Sequence, residues 1–189
     1  MRTCIVSLKS AAPYSQSKVL RMLKKDKERP DEYEERVWRE RCHYIDDTPD
    51  SHIMIPPMAF KNCLQEAAKY LAIQIPGKGK ATFTKHFEAG VMVTDGLVLP
   101  ETRETVKGEW LFLNADGRRG GGKRVWKCYP VFAQWKGDVT FHVLDDTVTR
   151  EVFEQHLDQA GRFVGIGRFR PRNGGYYGRF EVVQTRWEE

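Results

Sequence analysis

The segment from Val164 to Phe180 contains no carboxylate and interleaves arginine with aromatic rings and glycine. Arg168, Arg170 and Arg172 can grip phosphates, while Tyr176 and Tyr177 offer faces on which bases stack, the two requirements for holding a single strand with little sequence readout. A second segment, Gly117 to Lys127, holds five basic residues and no acid. Its glycines bring backbone amides, Arg118, Arg119, Lys123 and Arg124 against an anion, because a missing side chain removes obstruction and admits positive backbone angles. Five cations this close repel one another unless an anion is expected. A third basic stretch, Gly77 to His86, adds Lys78, Lys80 and Lys85 as auxiliary phosphate contacts.

Other chemistries find less support. The third stretch lacks the spacing of a phosphate-binding P-loop, and the glycines near the C-terminus do not open a helix as a dinucleotide fingerprint does. His43, His52, His86, His142 and His156 form no recognisable acid–base constellation, so no catalytic residue is assigned. Asp46-Asp47 and Asp145-Asp146 read as turn residues rather than metal ligands. Cys4, Cys42, Cys63 and Cys128 are widely separated and form no C-x-x-C pair, which argues against a zinc site or a disulfide framework. No metal and no cofactor is expected.

Composition agrees with a folded, polyanion-binding globule: 40% hydrophobic and 30% charged residues with a formal net charge of +5. No run approaches a membrane span, and the N-terminus lacks the apolar stretch of a signal peptide, so the expected location is the cytoplasm.

The elements that must position these segments follow from hydrophobic period. Residues 2–8 alternate as a strand with Cys4, Val6 and Leu8 on one face. Mixed charges from Val19 to Arg41 surround a narrow stripe of Tyr33, Val37 and Trp38, a helix capped near Asp31. Pro57 opens the clearest helix, to about Ile73, with Phe60, Cys63, Leu64, Ala67, Ala68 and Leu71 on one face. Strands are expected at Ala81–Val93 and Gly108–Leu113, and then at Val125–Trp135 and Asp138–Leu144 as a hairpin turning at Lys136-Gly137. A helix capped at Thr147 or Thr149 carries Phe153, His156, Leu157 and Val164, and a last strand covers Tyr177–Val183. Setting the excursions aside, the order is strand, helix, strand, strand, helix, strand. That order predicts one α+β domain over residues 1–189, ferredoxin-like (RRM-type), with an antiparallel sheet and helices on one face. An inserted β-rich lobe at about 75–122 and an N-terminal helical excursion complete it.

The run Ile55-Pro56-Pro57-Met58-Ala59-Phe60-Lys61, with Leu64, Ala67 and Ala68 behind it, resembles the I-P-x-S-x-x-K-x-x-L-R-x-A opening of the first core helix in CRISPR RAMP-superfamily proteins. The C-terminal Gly-x-Gly and Gly-Tyr-Tyr-Gly-Arg-Phe segment resembles their glycine-rich loop before the last core strand. The resemblance covers roughly half the chain and is nearest to the backbone subunit that polymerises along guide RNA; Pro57-Met58-Ala59 departs from the usual small polar turn. It implies a protein that coats single-stranded RNA without cleaving it. Lys61 would then meet the RNA backbone, and Arg168, Arg170, Arg172 and Tyr176 would approach the guide. Its partners would be further copies along the strand or other CRISPR subunits, with no membrane. Alternatives on the same surface are a phage single-stranded DNA-binding protein, a subunit mimic that blocks assembly, and a RAMP-type RNA endonuclease.

Overall fold

The computed structural model describes residues 1–115, 120 and 122–188. In chain order the elements are β1 (Arg2–Ser10), β2 (Tyr14–Ser15), α1 (Pro30–Val37), β3 (His52–Ile55), α2 (Pro57–Leu71), α3 (Thr84–Gly90) and β4 (Val91–Val93). Then come β5 (Leu97–Thr102), β6 (Lys107–Asn114), β7 (Arg124–Phe132), β8 (Lys136–Val143), α4 (Arg150–Gln159) and β9 (Phe180–Glu188). A 3-10 turn (Trp38–Arg41) extends α1, and a π-helical turn (Ala160–Val164) extends α4.

The main sheet is antiparallel, in the order β4-β8-β1-β9. Alternation in β1 sends Cys4, Val6 and Leu8 into the core, where they join Val139, Phe141 and Val143 of β8. Helices α2 and α4 supply Phe60, Leu64, Phe153 and Leu157 to the same core, and Phe153 sits edge-on to both Phe141 and Trp187. The opposite face of this sheet carries polar pairs beside Ile5 and Met92: Ser7 donates to Asp138, and Lys9 pairs with Glu181. Two smaller antiparallel sheets, β2-β7-β6 and β3-β5, stand beside it.

Several elements differ from the sequence reading. Ala81–Val93 is not one strand: α3 occupies most of it, and only β4 is extended. Phe83 and Phe87, four residues apart, share a helical face on which both rings meet the buried His156. The expected hairpin between Val125–Trp135 and Asp138–Leu144 is also absent. β7 pairs with β6, whereas β8 pairs with β1 and β4. The chain changes sheets at Trp135, which is buried and exchanges hydrogen bonds with Ser10: Ser10 N donates to its carbonyl and its own N–H donates to Ser10 Oγ.

The described part of residues 75–122 is thus shared among the three sheets, since β4, β5 and β6 each join a different one. The α1 cap is Arg29, whose backbone N–H donates to Glu32, and not Asp31. α2 stops at Leu71 because Ala72 takes a left-handed φ of 47°. Thr149 caps α4 as expected, accepting from the Val152 N–H.

Candidate nucleic-acid interface

The glycine-rich segment before β9 is pinned to the body of the protein. Arg168 N donates to Ser15 O, Ile166 N to Gly178 O, and Gly178 N to Pro13 O. Glycine is required at two of these approaches: a side-chain carbon on Gly167 would collide with the Ser15 carbonyl, and one on Gly178 with the Ile166 carbonyl. Both have positive φ. Phe169 also adopts a left-handed φ of 47°, a conformation that costs free energy for a bulky residue, and its ring stands half exposed.

The hairpin β6-β7 forms the opposite wall. Its register places Glu109 across from Tyr129, Leu111 across from Lys127, and Leu113 across from Val125, so these side chains share one face. α1 fixes this wall through Glu34, which is 1% exposed. The Glu34 carboxylate accepts two hydrogen bonds from Arg41 and one from the Cys128 N–H, while Arg41 Nε donates to the Cys128 carbonyl. Lys127 lies 3.6 Å from the same carboxylate. A buried carboxylate satisfied in this way ties the N-terminal helix to β7 at the level of the groove.

Between loop and hairpin lies a cleft of about 850 Å³ whose lining includes Arg124, Lys127, Tyr129, Arg168, Phe169, Tyr176 and Tyr177. A second hollow of about 350 Å³, lined by His43, Met58, Asn62 and Arg170 among others, shares Ser17 and Arg168 with the first. The two adjoin, so that a groove can be followed from the Asn114–Arg124 end of β6-β7 to the start of α2. No carboxylate is among the described residues lining it. The Arg168 guanidinium lies 4.0 Å from the Tyr129 ring centre and 5.0 Å from that of Tyr177, holding a cation between two rings. Burial and the Glu109 carboxylate push the Tyr177 hydroxyl pKa up. Burial, and next Lys18, holds the His43 imidazole below its usual range.

The arginines are engaged by carboxylates of other elements. Arg168 pairs with Glu109 at 3.4 Å, and the Tyr177 hydroxyl donates to the same carboxylate. Arg170 and Arg172 both pair with Glu66 of α2, at 2.6 and 3.3 Å.

The groove therefore brings together Arg124, Arg168, Arg170, Tyr176 and Tyr177 of the residues expected from sequence. Arg172 lies behind it over Tyr70, and Lys123 is exposed at the hairpin end. Arg118 and Arg119 lie outside the described residues. Lys61 is turned elsewhere: its ammonium donates to the Phe87 and Glu88 carbonyls at 2.5 and 2.9 Å, bracing the end of α3, and burial lowers its pKa. Lys78, Lys80 and Lys85 are exposed around the α2–α3 connection, outside the groove lining, with no ion pair among the described residues.

Sequence reasoning missed Lys127 and Tyr129 as groove residues and Glu66 and Glu109 as partners of its arginines. Strand alternation would have found the first two only once β7 was paired with β6. The other face of the hairpin carries Trp110, Phe112 and Trp126, all more than 40% exposed; Arg124, at the edge of the cleft, leans over the Phe112 ring on this face.

No family model and no curated protein sequence matches the chain. Among solved structures it is similar to the crystal structure of Cmr6 from Pyrococcus furiosus, with 12% identity, a TM-score of 0.46, and coverage of 96% of this chain and 98% of that one. It is also similar to a chain of a CRISPR RNA-guided surveillance complex, with 11% identity, a TM-score of 0.38, and coverage of 96% and 67%. At these values neither likeness assigns a function or a residue role.

Proposed function

We propose that the protein is a non-catalytic binder of single-stranded nucleic acid, RNA foremost, on a ferredoxin-like frame. The observation that carries this reading is the pair of adjoining hollows whose lining combines Arg124, Lys127, Arg168 and Arg170 with Tyr129, Phe169, Tyr176 and Tyr177, with no lining carboxylate among the described residues. Cations that track a backbone beside faces that accept bases are what an unpaired strand needs, and a rigid duplex offers no unstacked base to such a cleft. The open face of the main sheet supports the groove as the seat: the strand pairs there present Thr3, Ile5, Ser7, Lys9, Asp138 and His142, with no Phe, Tyr or Trp among these residues.

The resemblance to CRISPR backbone subunits extends the reading to a protein that lies along guide RNA beside further copies of itself or other subunits of such a complex. Exposed cations on the hairpin, Lys123 and Arg124, and others outside the groove beyond the C-terminal end of α2, Lys78, Lys80 and Lys85, suit a strand continuing past one molecule. A net charge of +5 opposes stacking of copies until phosphate screens it.

The test is equilibrium binding to single-stranded RNA, single-stranded DNA and duplex of equal length, with light scattering of each complex. The reading expects preference for the single strands, and larger particles as the strand lengthens. Duplex bound as tightly as single strand, or a monomer at every length, contradicts it.

One observation favours a second reading, RNA cleavage: His43 lines the groove with its imidazole held neutral at pH 7, the form a general base requires. Cleavage of RNA that is lost on His43→Ala, with a 2′-deoxy strand bound but uncut, would replace the first reading by this one.

A further inference from the structure

Three arginines of the glycine-rich loop meet two carboxylates, and both carboxylates come from other elements. Glu109 projects from β6 to Arg168 at 3.4 Å and accepts from the Tyr177 hydroxyl. Glu66 projects from α2 to Arg170 at 2.6 Å and Arg172 at 3.3 Å, using one oxygen for each. A carboxylate facing a guanidinium presents two acceptor oxygens in the geometry that a phosphodiester also presents. Neither pair is sealed: Arg168 and Glu109 are 15% and 40% exposed, and Arg170 and Glu66 21% and 28%, so solvent reaches both pairs. The buried Glu34–Arg41 pair shows the contrast, with side chains 1% and 9% exposed and the glutamate also holding a backbone N–H.

We propose that Glu66 and Glu109 are internal stand-ins for phosphates, occupying on Arg170 and Arg168 the positions that two phosphates of a bound strand take, and giving way when it binds. This rests on the strand-binding reading of the groove and adds where two of its phosphates sit. The stand-ins keep like charges apart in the empty loop, where Arg168, Arg170 and Arg172 fall within five residues. They also lower affinity, because a phosphate must displace an anion that is already tethered at high effective concentration. Lys123 and Arg124 have no carboxylate partner among the described residues, Arg124 lying over the Phe112 ring, and both are exposed where a first contact is made.

The experiment compares wild type, Glu109→Gln and Glu66→Gln for binding a labelled 15-nucleotide single-stranded RNA across a salt series, with thermal melting of each protein. The amide keeps the shape and removes the charge. Each variant is expected to bind about fivefold more tightly, the size of one partly exposed ion pair. The salt slope should steepen by up to roughly 0.7, one additional counterion-releasing contact. The gain from Glu109→Gln should vanish in an Arg168→Ala background. Unchanged or weaker binding overturns the proposal, as does loss of the fold, since the carboxylates would then be permanent clamps. Failure of the wild type to bind the strand would instead remove the strand-binding reading itself.

Discussion

Arg170 reaches Glu66 at 2.6 Å across 104 residues of chain, fastening the glycine-rich loop to the middle of α2. This contact joins the two segments whose sequences carry the CRISPR RAMP resemblance, the proline-initiated helix and the C-terminal loop. It also gives the loop's arginines a structural duty beside any ligand contact.

Replacing Arg168, Arg170 and Arg172 together by alanine is therefore expected to cost stability as well as affinity. The ion pairs to Glu66 and Glu109 and the stacking of Arg168 between two tyrosines are partly buried, so the loss should be about 2 kcal/mol. Urea melting measures that term. The salt slope of strand binding should fall by roughly 1.4, at about 0.7 for each of the two groove arginines, Arg168 and Arg170, on a single strand. A triple variant as stable as wild type would show that the loop is not fastened as described.

Adjacent residues on α2 should separate packing from bracing. Phe60 is fully buried and packs edge-on to Trp135, so Phe60→Ala should cost ~3 to 5 kcal/mol. Lys61→Ala removes two donors from the end of α3 and should cost about 1 to 2 kcal/mol, with strand affinity changed less than about twofold. Large loss of affinity from Lys61→Ala at unchanged melting would return this lysine to the strand contact that the family resemblance implies.

Stability should fall as pH drops below about 6.5. His156 is buried against Phe83 and Phe87; its Nδ1 meets the Val152 carbonyl, and its Nε2 has no partner among the described residues. Burial lowers its pKa in the folded protein. The unfolded chain therefore takes up a proton first, near 6.5, and stability present above that pH is lost as pH falls toward the folded value. His43 is shifted the same way. The slope for one such histidine is up to about 1.4 kcal/mol per pH unit, and His156→Phe should remove its share between pH 6.5 and 5. An unaltered pH profile in that variant would place the titration elsewhere.

Much of this architecture was legible in the sequence, for physical reasons that also explain the misses. Cys4, Val6 and Leu8 alternate because one sheet face is buried, and Phe60, Cys63, Leu64 and Ala67 recur at helical spacing because one helix face is. The short helix at Thr84–Gly90 was hidden because Phe83 and Phe87 sit among β-branched and aromatic residues that also suit a strand. The pairing of β7 was misread because Lys136-Gly137 looks like a turn, whereas Gly137 lies inside β8 against Leu97. Segment composition pointed to the arginines and tyrosines of the loop. Which anion faces each arginine depends on contacts 59 to 104 residues apart, and local pattern does not encode that.

The most direct test of the groove as the seat of a strand uses Arg124→Ala together with Lys127→Ala, both on β7 and clear of the loop's ion pairs to Glu66 and Glu109. Glu34 keeps its contacts to Arg41 and the Cys128 N–H, so melting should be little altered. Binding of a 15-nucleotide single-stranded RNA is measured across a salt series. The groove predicts weaker binding and a slope reduced by roughly 1.4, two phosphate contacts at about 0.7 each. Affinity and slope equal to wild type, with the fold intact, would contradict it.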